Sequence, residues 1–132
     1  MPPPRGPLFD GLPCVVCRQP LSHLDAYRCG TKLIRVVYRG PGRYGVCTAC
    51  LEQGLKIERR LHGKLIDKEE LEKQAGKPLK HVVIRCYFCG SVLNHNEKNR
   101  HRMHQEKFLQ TRKSFKGRCY ECYSDGRGSE DF

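Results

Sequence analysis

The feature that most constrains this chain is a set of four Cys-x-x-Cys pairs in a fixed register. The first pair is followed, after 29 intervening residues, by a second pair, and the same arrangement recurs later with an identical spacer. In chain order the eight cysteines are Cys14, Cys17, Cys47, Cys50, Cys86, Cys89, Cys119 and Cys122. Each cysteine of the first quartet maps onto one of the second by adding 72. A long spacer does not repeat by chance, so the pattern predicts one four-thiolate metal site used twice.

The predicted metal is zinc, with two ions per chain. A chain of 132 residues divided into two halves gives domains that bury too little apolar surface to be stable alone. Zinc binds cysteine thiolates tetrahedrally and contributes folding free energy directly. Disulfides are the alternative, but residues 1–7 lack the apolar segment of a signal peptide, and a reducing compartment favours metal. No apolar run approaches the about 20 residues of a membrane span, so no membrane partner is expected.

The pairing of the cysteines has two solutions. Pairing within each half is the simpler, while a cross-braced arrangement, in which the first and third pairs share one metal, remains open. Cys29 lies outside the register and is predicted to be a small buried residue. Two complete four-cysteine sites leave no position for the six histidines or for a catalytic water, so no catalytic zinc is predicted. His101 and His104 are therefore expected at the surface or at an interface.

The predicted fold class is α+β: two small, duplicated, zinc-stabilised domains joined by a helical connector. The predicted segments are a flexible arm over 1–12, a zinc domain over 13–58, a connector over 59–78, a second zinc domain over 79–124 and a flexible tail over 125–132. Strands are predicted over 32–39, 81–85 and 108–111, and a helix over 96–107. Further helix is predicted in 51–79, with Asp67 as an N-cap and Gly76 and Pro78 as stop signals.

An internal duplication is indicated by matches beyond cysteine. At the same offset of 72 the matched residues are Leu21 and Leu93, His23 and His95, Asp25 and Glu97, and Gly45 and Gly117. The formal charge of +11 favours acidic partners, which are nucleic acid, acidic peptides or an anionic membrane surface; the alternative is a charge that only keeps a small protein soluble.

With these spacings the chain resembles papillomavirus early protein six, a viral oncoprotein, and within it the animal-virus members. The resemblance covers roughly Gly11 to Tyr123. The stretches that carry it, besides the cysteines, are Val36-Val37-Tyr38-Arg39, Arg43-Tyr44-Gly45-Val46-Cys47, Ile84-Arg85-Cys86, Asn96-Glu97-Lys98-Asn99-Arg100-His101 and Gly117-Arg118-Cys119.

The resemblance implies an adaptor rather than an enzyme. Family members fold as two zinc domains joined by a helix, and the cleft formed by these parts captures a short acidic LxxLL helix of a host protein. Some recruit a HECT-type ubiquitin ligase, and others bind mastermind-like coactivators and repress Notch signalling, or bind paxillin. The choice among these partners stays open, as do weak nucleic-acid binding and weak self-association. Localisation in the host nucleus and cytoplasm is expected.

The resemblance also implies which residues bind the peptide. The basic ones are Arg39, Arg85 and Lys116, where lysine at the last position argues against bidentate carboxylate pairing. The apolar ones are Val15, Val16, Ile34, Val37, Val46, Leu51 and Leu55. Glu130 stands where a PDZ ligand carries Ser or Thr, so the tail is predicted to be free.

A rival interpretation is a zinc-module nucleic-acid binder or transcription regulator. Its candidate phosphate contacts are Lys98-Asn99-Arg100-His101-Arg102 and Arg112-Lys113. A RING-like ubiquitin ligase is a third interpretation, but the chain lacks the ligand spacing that such a fold requires.

Overall fold

A computed structural model describes residues 6–112, 114–128 and 132. The chain forms two compact units, Met1–Gln53 and Gly54–Phe132. Both contain helices and short strands, and each contains one of the two cysteine quartets. The predicted α+β class is therefore confirmed. Across the described ranges, none of the helices has the length and apolar character needed to cross a bilayer.

The N-terminal unit packs two helices and a hairpin around a small core. Helices α1 (Gly6–Phe9) and α2 (His23–Thr31) contact each other, and strands β1 (Val37–Arg39) and β2 (Gly42–Tyr44) pair antiparallel. Gly40, at a φ of 57°, makes the tight turn between the strands. Helix α3 (Thr48–His62) begins here and continues into the second unit. The buried core consists of Phe9, Cys14, Leu21, Ala26 and Cys29.

Two expectations for this half need correction. The predicted flexible arm over 1–12 contains Phe9, which is only 1% exposed and belongs to the core, so the described part of the arm is anchored. Residues 1–5 lie outside the described residues. The predicted strand over 32–39 is shorter, because Leu33 takes a left-handed conformation (φ 56°) after α2 and regular pairing starts only at Val37.

The C-terminal unit is built on a four-stranded sheet in the order β3-β5-β6-β4. Strands β4 and β6 are parallel and the other pairs are antiparallel. After α3 the elements are β3 (Lys64–Ile66), α4 (Lys68–Ala75), a 3-10 helix (Leu79–His81), β4 (Ile84–Cys86), α5 (His95–Met103), β5 (Phe108–Gln110), β6 (Phe115–Gly117) and α6 (Tyr120–Ser124). Its apolar core includes Leu71, Ile84, Leu93, Phe108 and Leu109.

The segment predicted as a connector, 59–78, contributes to the C-terminal unit. Strand β3 pairs with β5, and Leu71 of α4 is completely buried in the core of that unit. The local signals were correct: Asp67 accepts a hydrogen bond from the Glu70 N–H at 2.8 Å, and Gly76 ends α4 in the left-handed conformation. A strand of three residues is too short to show alternation in the sequence.

The end of the chain also differs from the predicted free tail. The Phe132 ring packs edge-on against Tyr87, with 4.8 Å between the ring centroids, and the Arg60 Nε donates to the Phe132 carbonyl oxygen at 3.2 Å. Residues 129–131, which include Glu130, lie outside the described residues. An aromatic side chain that packs against other aromatic rings buries apolar surface. Nothing in the polar residues that precede Phe132 indicated this packing.

The duplication is visible in the backbone hydrogen bonds. Many bonds of the N-terminal half recur at an offset of 72. Examples that agree within about 0.1 Å in length are Cys14 N to Gln19 O and Cys86 N to Ser91 O, Val15 N to Gly45 O and Tyr87 N to Gly117 O, and Leu21 N to Leu12 O and Leu93 N to Ile84 O. Leu33 and Gln105, also 72 apart, both have positive φ. The two halves therefore share one local scaffold around each cysteine quartet.

Candidate metal centre

The first cysteine cluster is assembled wholly from the N-terminal unit. The sulfurs of Cys14, Cys17, Cys47 and Cys50 all lie within 4.8 Å of one another, and the Cys17 and Cys47 sulfurs are 4.0 Å apart. Two turns supply the pairs: one precedes α2, and the other leads into α3. The Val16 and Cys47 backbone N–H groups each donate to the Cys14 sulfur at 3.4 Å, which fixes its direction.

The second cluster repeats this construction in the C-terminal unit with Cys86, Cys89, Cys119 and Cys122. Cys86 ends β4, and Cys119 caps the N-terminus of α6. The sulfur–sulfur distances are 3.7 Å for Cys86 to Cys122 and 3.7 Å for Cys89 to Cys119. This cluster is more buried than the first, because three of its four cysteines are buried.

Both clusters have the chemistry and dimensions of a zinc site. Four sulfurs at the zinc–sulfur distance of about 2.3 Å from a tetrahedral centre are about 3.8 Å apart, which is close to the spacings seen. All nine cysteines are described and all are free, so the disulfide alternative is not supported. Each quartet comes from one half, which excludes the cross-braced pairing. The chain thus provides two four-thiolate sites for two zinc ions.

Within each quartet the pKa is lowered for some thiols and raised for their neighbours, such as Cys47 and Cys119. Burial alone would raise the pKa of the Cys14 thiol, but backbone N–H groups of Cys17, Cys47 and Val16 donate to its sulfur and lower the pKa to about 6. In the second cluster, hydrogen bonding with the Cys119 and Cys122 side chains lowers the pKa of the Cys86 thiol to about 7. Zinc binds the deprotonated thiolate, so a thiol that ionises near neutral pH favours loading.

A carboxylate holds the helix that carries the last ligand of each site. In the N-terminal unit an oxygen of Asp25 accepts from the Thr48 hydroxyl at 2.7 Å and from the Thr48 N–H at 3.3 Å, between Cys47 and Cys50. In the C-terminal unit Glu97 accepts from the Tyr120 N–H at 2.7 Å, between Cys119 and Cys122. These are the residues that the sequence matched at an offset of 72, and the match now has a physical reason.

Cys29 and His101 occupy the same position of the repeat. The Cys29 sulfur donates to the Val46 carbonyl at 3.2 Å, and burial raises the pKa of its thiol, so it is a core residue and not a metal ligand. His101 is 1% exposed, stacks on Phe108 at 4.3 Å, and its Nε2 accepts from the Arg118 N–H at 2.9 Å. The expectation that His101 lies at the surface was wrong, because a neutral imidazole here satisfies buried backbone groups. His104 is exposed.

The predicted basic residues fall into two groups. Arg85 on β4 and Lys116 on β6 are partners in the parallel strand pair, so the sheet brings them together. Arg85 donates to the Gly90 carbonyl at 2.8 Å, and the Lys116 ammonium lies 4.0 Å from the Glu58 carboxylate. Burial lowers the pKa of Lys116, which Glu58 partly offsets. Arg39 is exposed on β1 and donates to the Tyr38 carbonyl.

The predicted apolar residues differ in exposure. Ile34 and Val46 are half-buried and pack against the N-terminal core, and Leu55 is buried. Val16 is 66% exposed. The remaining three are half-buried: Val15, Val37 and Leu51.

One apolar surface was missed by the sequence analysis as part of a site. Ile57 and Leu61, one helical turn apart on α3, are 48% and 70% exposed. They line a shallow cavity of about 260 Å³ together with Glu58 and Arg112, all within the C-terminal unit. The spacing of Ile57 and Leu61 was visible in the sequence, but their exposure was not. Apolar residues one helical turn apart can equally well lie in a buried core.

Fold and site together define a duplicated zinc protein with a strongly basic surface. Comparison with protein families finds that residues 14–122 match the model described as Early Protein (E6). The chain therefore belongs to the papillomavirus E6 family of viral oncoproteins. The family match begins at the first predicted ligand, Cys14, and ends at the last, Cys122.

Individual relatives are similar in sequence to this chain over nearly its whole length. Protein E6 of Bos taurus papillomavirus 2 is 46% identical over 127 residues, covering 95% of this chain and 93% of that protein. Protein E6 of bovine papillomavirus type 1 is 47% identical over 124 residues, covering 92% and 90%. Among solved structures, the C-terminal zinc-binding domain of the HPV51 oncoprotein E6 matches 52% of this chain and 90% of that domain, at 24% identity and a TM-score of 0.46.

Proposed function

We propose that this chain is a non-enzymatic adaptor that captures acidic LxxLL helices of host proteins and thereby redirects host transcription, ubiquitination or signalling. The observation that carries the proposal is an exposed apolar surface in the C-terminal unit with the basic side chains of Arg112 and Lys116 close to its residues. Ile57 and Leu61 on α3 expose apolar side chains that contribute little to the core. An amphipathic helix binds to such a surface through leucines one turn apart.

The charge beside this surface favours an acidic helix. Arg85 and Lys116 are adjacent across β4 and β6, and Glu58 is the one carboxylate within ion-pair distance of Lys116 among the described residues. Lys116 is buried, and the nearby Glu58 carboxylate offsets only part of the cost of burying its charge. An incoming carboxylate would form charge-assisted hydrogen bonds there, which are stronger than bonds between neutral groups. Arg112 adds a further cation at the edge of the same cavity.

The rival nucleic-acid function is weakened by burial. In the tract Lys98 to Arg102, Lys98 and Arg100 are nine-tenths or more buried and bond to the protein itself. Of the basic side chains in that tract only Arg102 is exposed. A protein that tracks phosphates needs a row of exposed cations. The residue Lys113 of the other candidate tract lies outside the described residues.

The experiment that tests the proposal measures binding of labelled LxxLL peptides to the zinc-loaded chain by fluorescence anisotropy. Arg85→Ala should weaken binding by about 1.5–3 kcal/mol, the range for hydrogen bonds to charged groups. Leu61→Glu should weaken it by about tenfold or more without lowering stability, because the side chain is already exposed. Lys73→Ala is the control, since it removes an exposed charge on another helix.

Peptides from a HECT-type ligase, a mastermind-like coactivator and paxillin, compared in one assay, would rank the partner classes. If Arg85→Ala and Leu61→Glu bind every peptide as tightly as the unmodified chain, the adaptor proposal fails. If instead both variants lose affinity for duplex DNA, the nucleic-acid function replaces it. We further propose that the protein acts in the host nucleus and cytoplasm, which imaging of the tagged chain tests.

A further inference from the structure

We propose that a groove between α4, the 3-10 helix and α5 is a second docking site, which takes an acidic segment of a partner protein with one apolar side chain. The groove lies entirely in the C-terminal unit and has a volume of about 400 Å³. This is enough for one large side chain and its flanking backbone rather than for a whole helix. None of its lining residues belongs to the peptide site proposed above.

One wall of the groove is a single stripe of α5. His95, Lys98, Asn99 and Arg102 are spaced as i, i+3, i+4 and i+7, so they lie along one side of the helix. The facing wall is α4, which contributes Lys68 and Glu72, spaced i and i+4. Both helices contact the 3-10 helix, so the groove is held by packed elements.

The floor is apolar. Pro78 and Leu79 line the groove at the start of the 3-10 helix, and Leu79 is buried with only 6% exposure. The Leu79 N–H is fixed by a 2.7 Å hydrogen bond to the Glu72 carboxylate, which joins the floor to α4. A leucine or similar side chain placed here would remove apolar surface of the floor from water.

The rim is strongly positive. Four basic residues line the groove against one carboxylate: Lys68, Lys80, Lys98 and Arg102 against Glu72. Glu72 already pairs with Lys68 at 3.0 Å, so the other three cations have no carboxylate partner among the described residues. The complementary ligand is therefore negatively charged.

Lys98 is the most informative of these cations. The residue is nine-tenths buried, and its ammonium donates to the Leu79 and Val82 carbonyls, which are neutral. Burial and the nearby Lys77 lower its pKa. A buried charge with only neutral partners is costly, and an acidic ligand at the groove would compensate it.

A protein segment fits better than a nucleic acid. The apolar floor formed by Pro78 and Leu79 offers a phosphate backbone nothing to bind. A peptide can place one apolar side chain on Pro78 and Leu79 while its carboxylates meet Lys80 and Arg102 at the rim. We therefore assign the groove to acidic protein segments.

The test uses the full zinc-loaded chain with a short glutamate-rich peptide that has one central leucine and no LxxLL sequence. In two-dimensional NMR, the peptide should shift amide signals in 68–72, 79–80 and 95–102. The double charge reversal Lys80→Glu with Arg102→Glu should weaken binding about tenfold or more, measured by fluorescence anisotropy. Both side chains are at the rim and Lys80 is exposed, so folding should be unaffected.

The matched control is Lys73→Glu with Lys107→Glu, which makes the same change in net charge at exposed positions outside the groove. It should change affinity by no more than about twofold. Equal losses in both double variants would mean unspecific attraction and would overturn the proposal. So would peptide-induced shifts elsewhere, or duplex DNA that displaces the peptide and binds more tightly. LxxLL binding by the Arg85→Ala variant is independent of all these outcomes, so the two proposals fail separately.

Discussion

At the scale of single residues, His101 shows how burial turns a candidate ligand into a structural group. Its Nε2 accepts from the Arg118 N–H, so the other ring nitrogen carries the proton and donates to the Glu106 carbonyl at 3.3 Å. Burial lowers the pKa of His101 below its usual 6.5, although Glu106 opposes this. The folded state therefore needs a neutral imidazole, and protonation of this side chain favours the unfolded state.

The depressed pKa of His101 makes the folded state less stable at acid pH. The unfolded chain protonates this imidazole near pH 6.5, whereas the folded chain does so only at a lower pH. His101 therefore contributes stability above about pH 6.5, and this stability is lost as the pH falls. His101→Gln, which keeps a donor and an acceptor but does not titrate, should flatten the decline in unfolding free energy between about pH 7 and pH 5. Urea unfolding at each pH measures the free energy of unfolding, and the zinc content is monitored in parallel. Identical slopes in the two chains would contradict the prediction.

Gly117 is a residue-scale constraint of a different kind. A Cβ at this position would lie 2.8 Å from Leu93 Cδ2 and 3.0 Å from the His101 Nε2, and both neighbours are buried. Gly117→Ala should therefore destabilise the C-terminal unit by about 1–3 kcal/mol through overpacking.

Gly54→Ala is the matched control for Gly117→Ala. Gly54 lies inside α3 with nothing within 4 Å of the added methyl group, so alanine should stabilise by about 0.5–1 kcal/mol. Thermal unfolding of both variants tests the pair. A neutral Gly117→Ala would mean that Leu93 moves aside without cost.

At the scale of elements, the carboxylates that hold the ligand-bearing helices differ in a way that mutation can separate. Glu97 uses both oxygens: one accepts from the Asn94 N–H at 2.8 Å in a capping box, and the other from the Tyr120 N–H. Glu97→Gln keeps only one acceptor, so one bond to a charged group is lost, at a cost of about 1.5–3 kcal/mol.

Asp25 makes both of its bonds to Thr48 through the same oxygen, so Asp25→Asn retains the acceptor and should cost less. Denaturant unfolding compares the two variants. Equal losses would show that charge, rather than the number of acceptors, stabilises these helix ends. A faster release of zinc from Glu97→Gln than from Asp25→Asn would further support a role in holding the ligand pair.

The element scale also shows what could be read from the sequence. The N-cap Asp67 and the stop at Gly76 were predictable because each is a local chemical requirement of a few adjacent residues. The eight ligands were predictable because their spacing repeats at a fixed offset along the chain. Strand β3, the burial of Phe9 and His101 and the packing of Phe132 on Tyr87 were not, since they depend on partners distant in the chain. The exposed surface of Ile57 and Leu61 was ambiguous for the same reason.

At the scale of the whole molecule, the two units each complete their own metal site. No ligand of one quartet comes from the other half, and each apolar core surrounds its own cysteines. Cores this small need the metal to be stable, and the thiolates that bind it come together only in the folded chain. The loss of one zinc ion should therefore unfold one unit rather than the whole chain.

Three cysteine substitutions test this. Cys89→Ser should leave one zinc ion per chain by mass spectrometry and abolish the dispersed NMR signals of residues 54–132, while those of residues 6–53 persist. Cys17→Ser, at the equivalent repeat position, should do the reverse. Cys29→Ser is the control: it removes a buried cysteine that is no ligand, so both ions should remain even though the core is weakened. If either ligand variant loses both ions, the two units fold as one, and the assignment of one metal to each half as an independent folding unit is wrong.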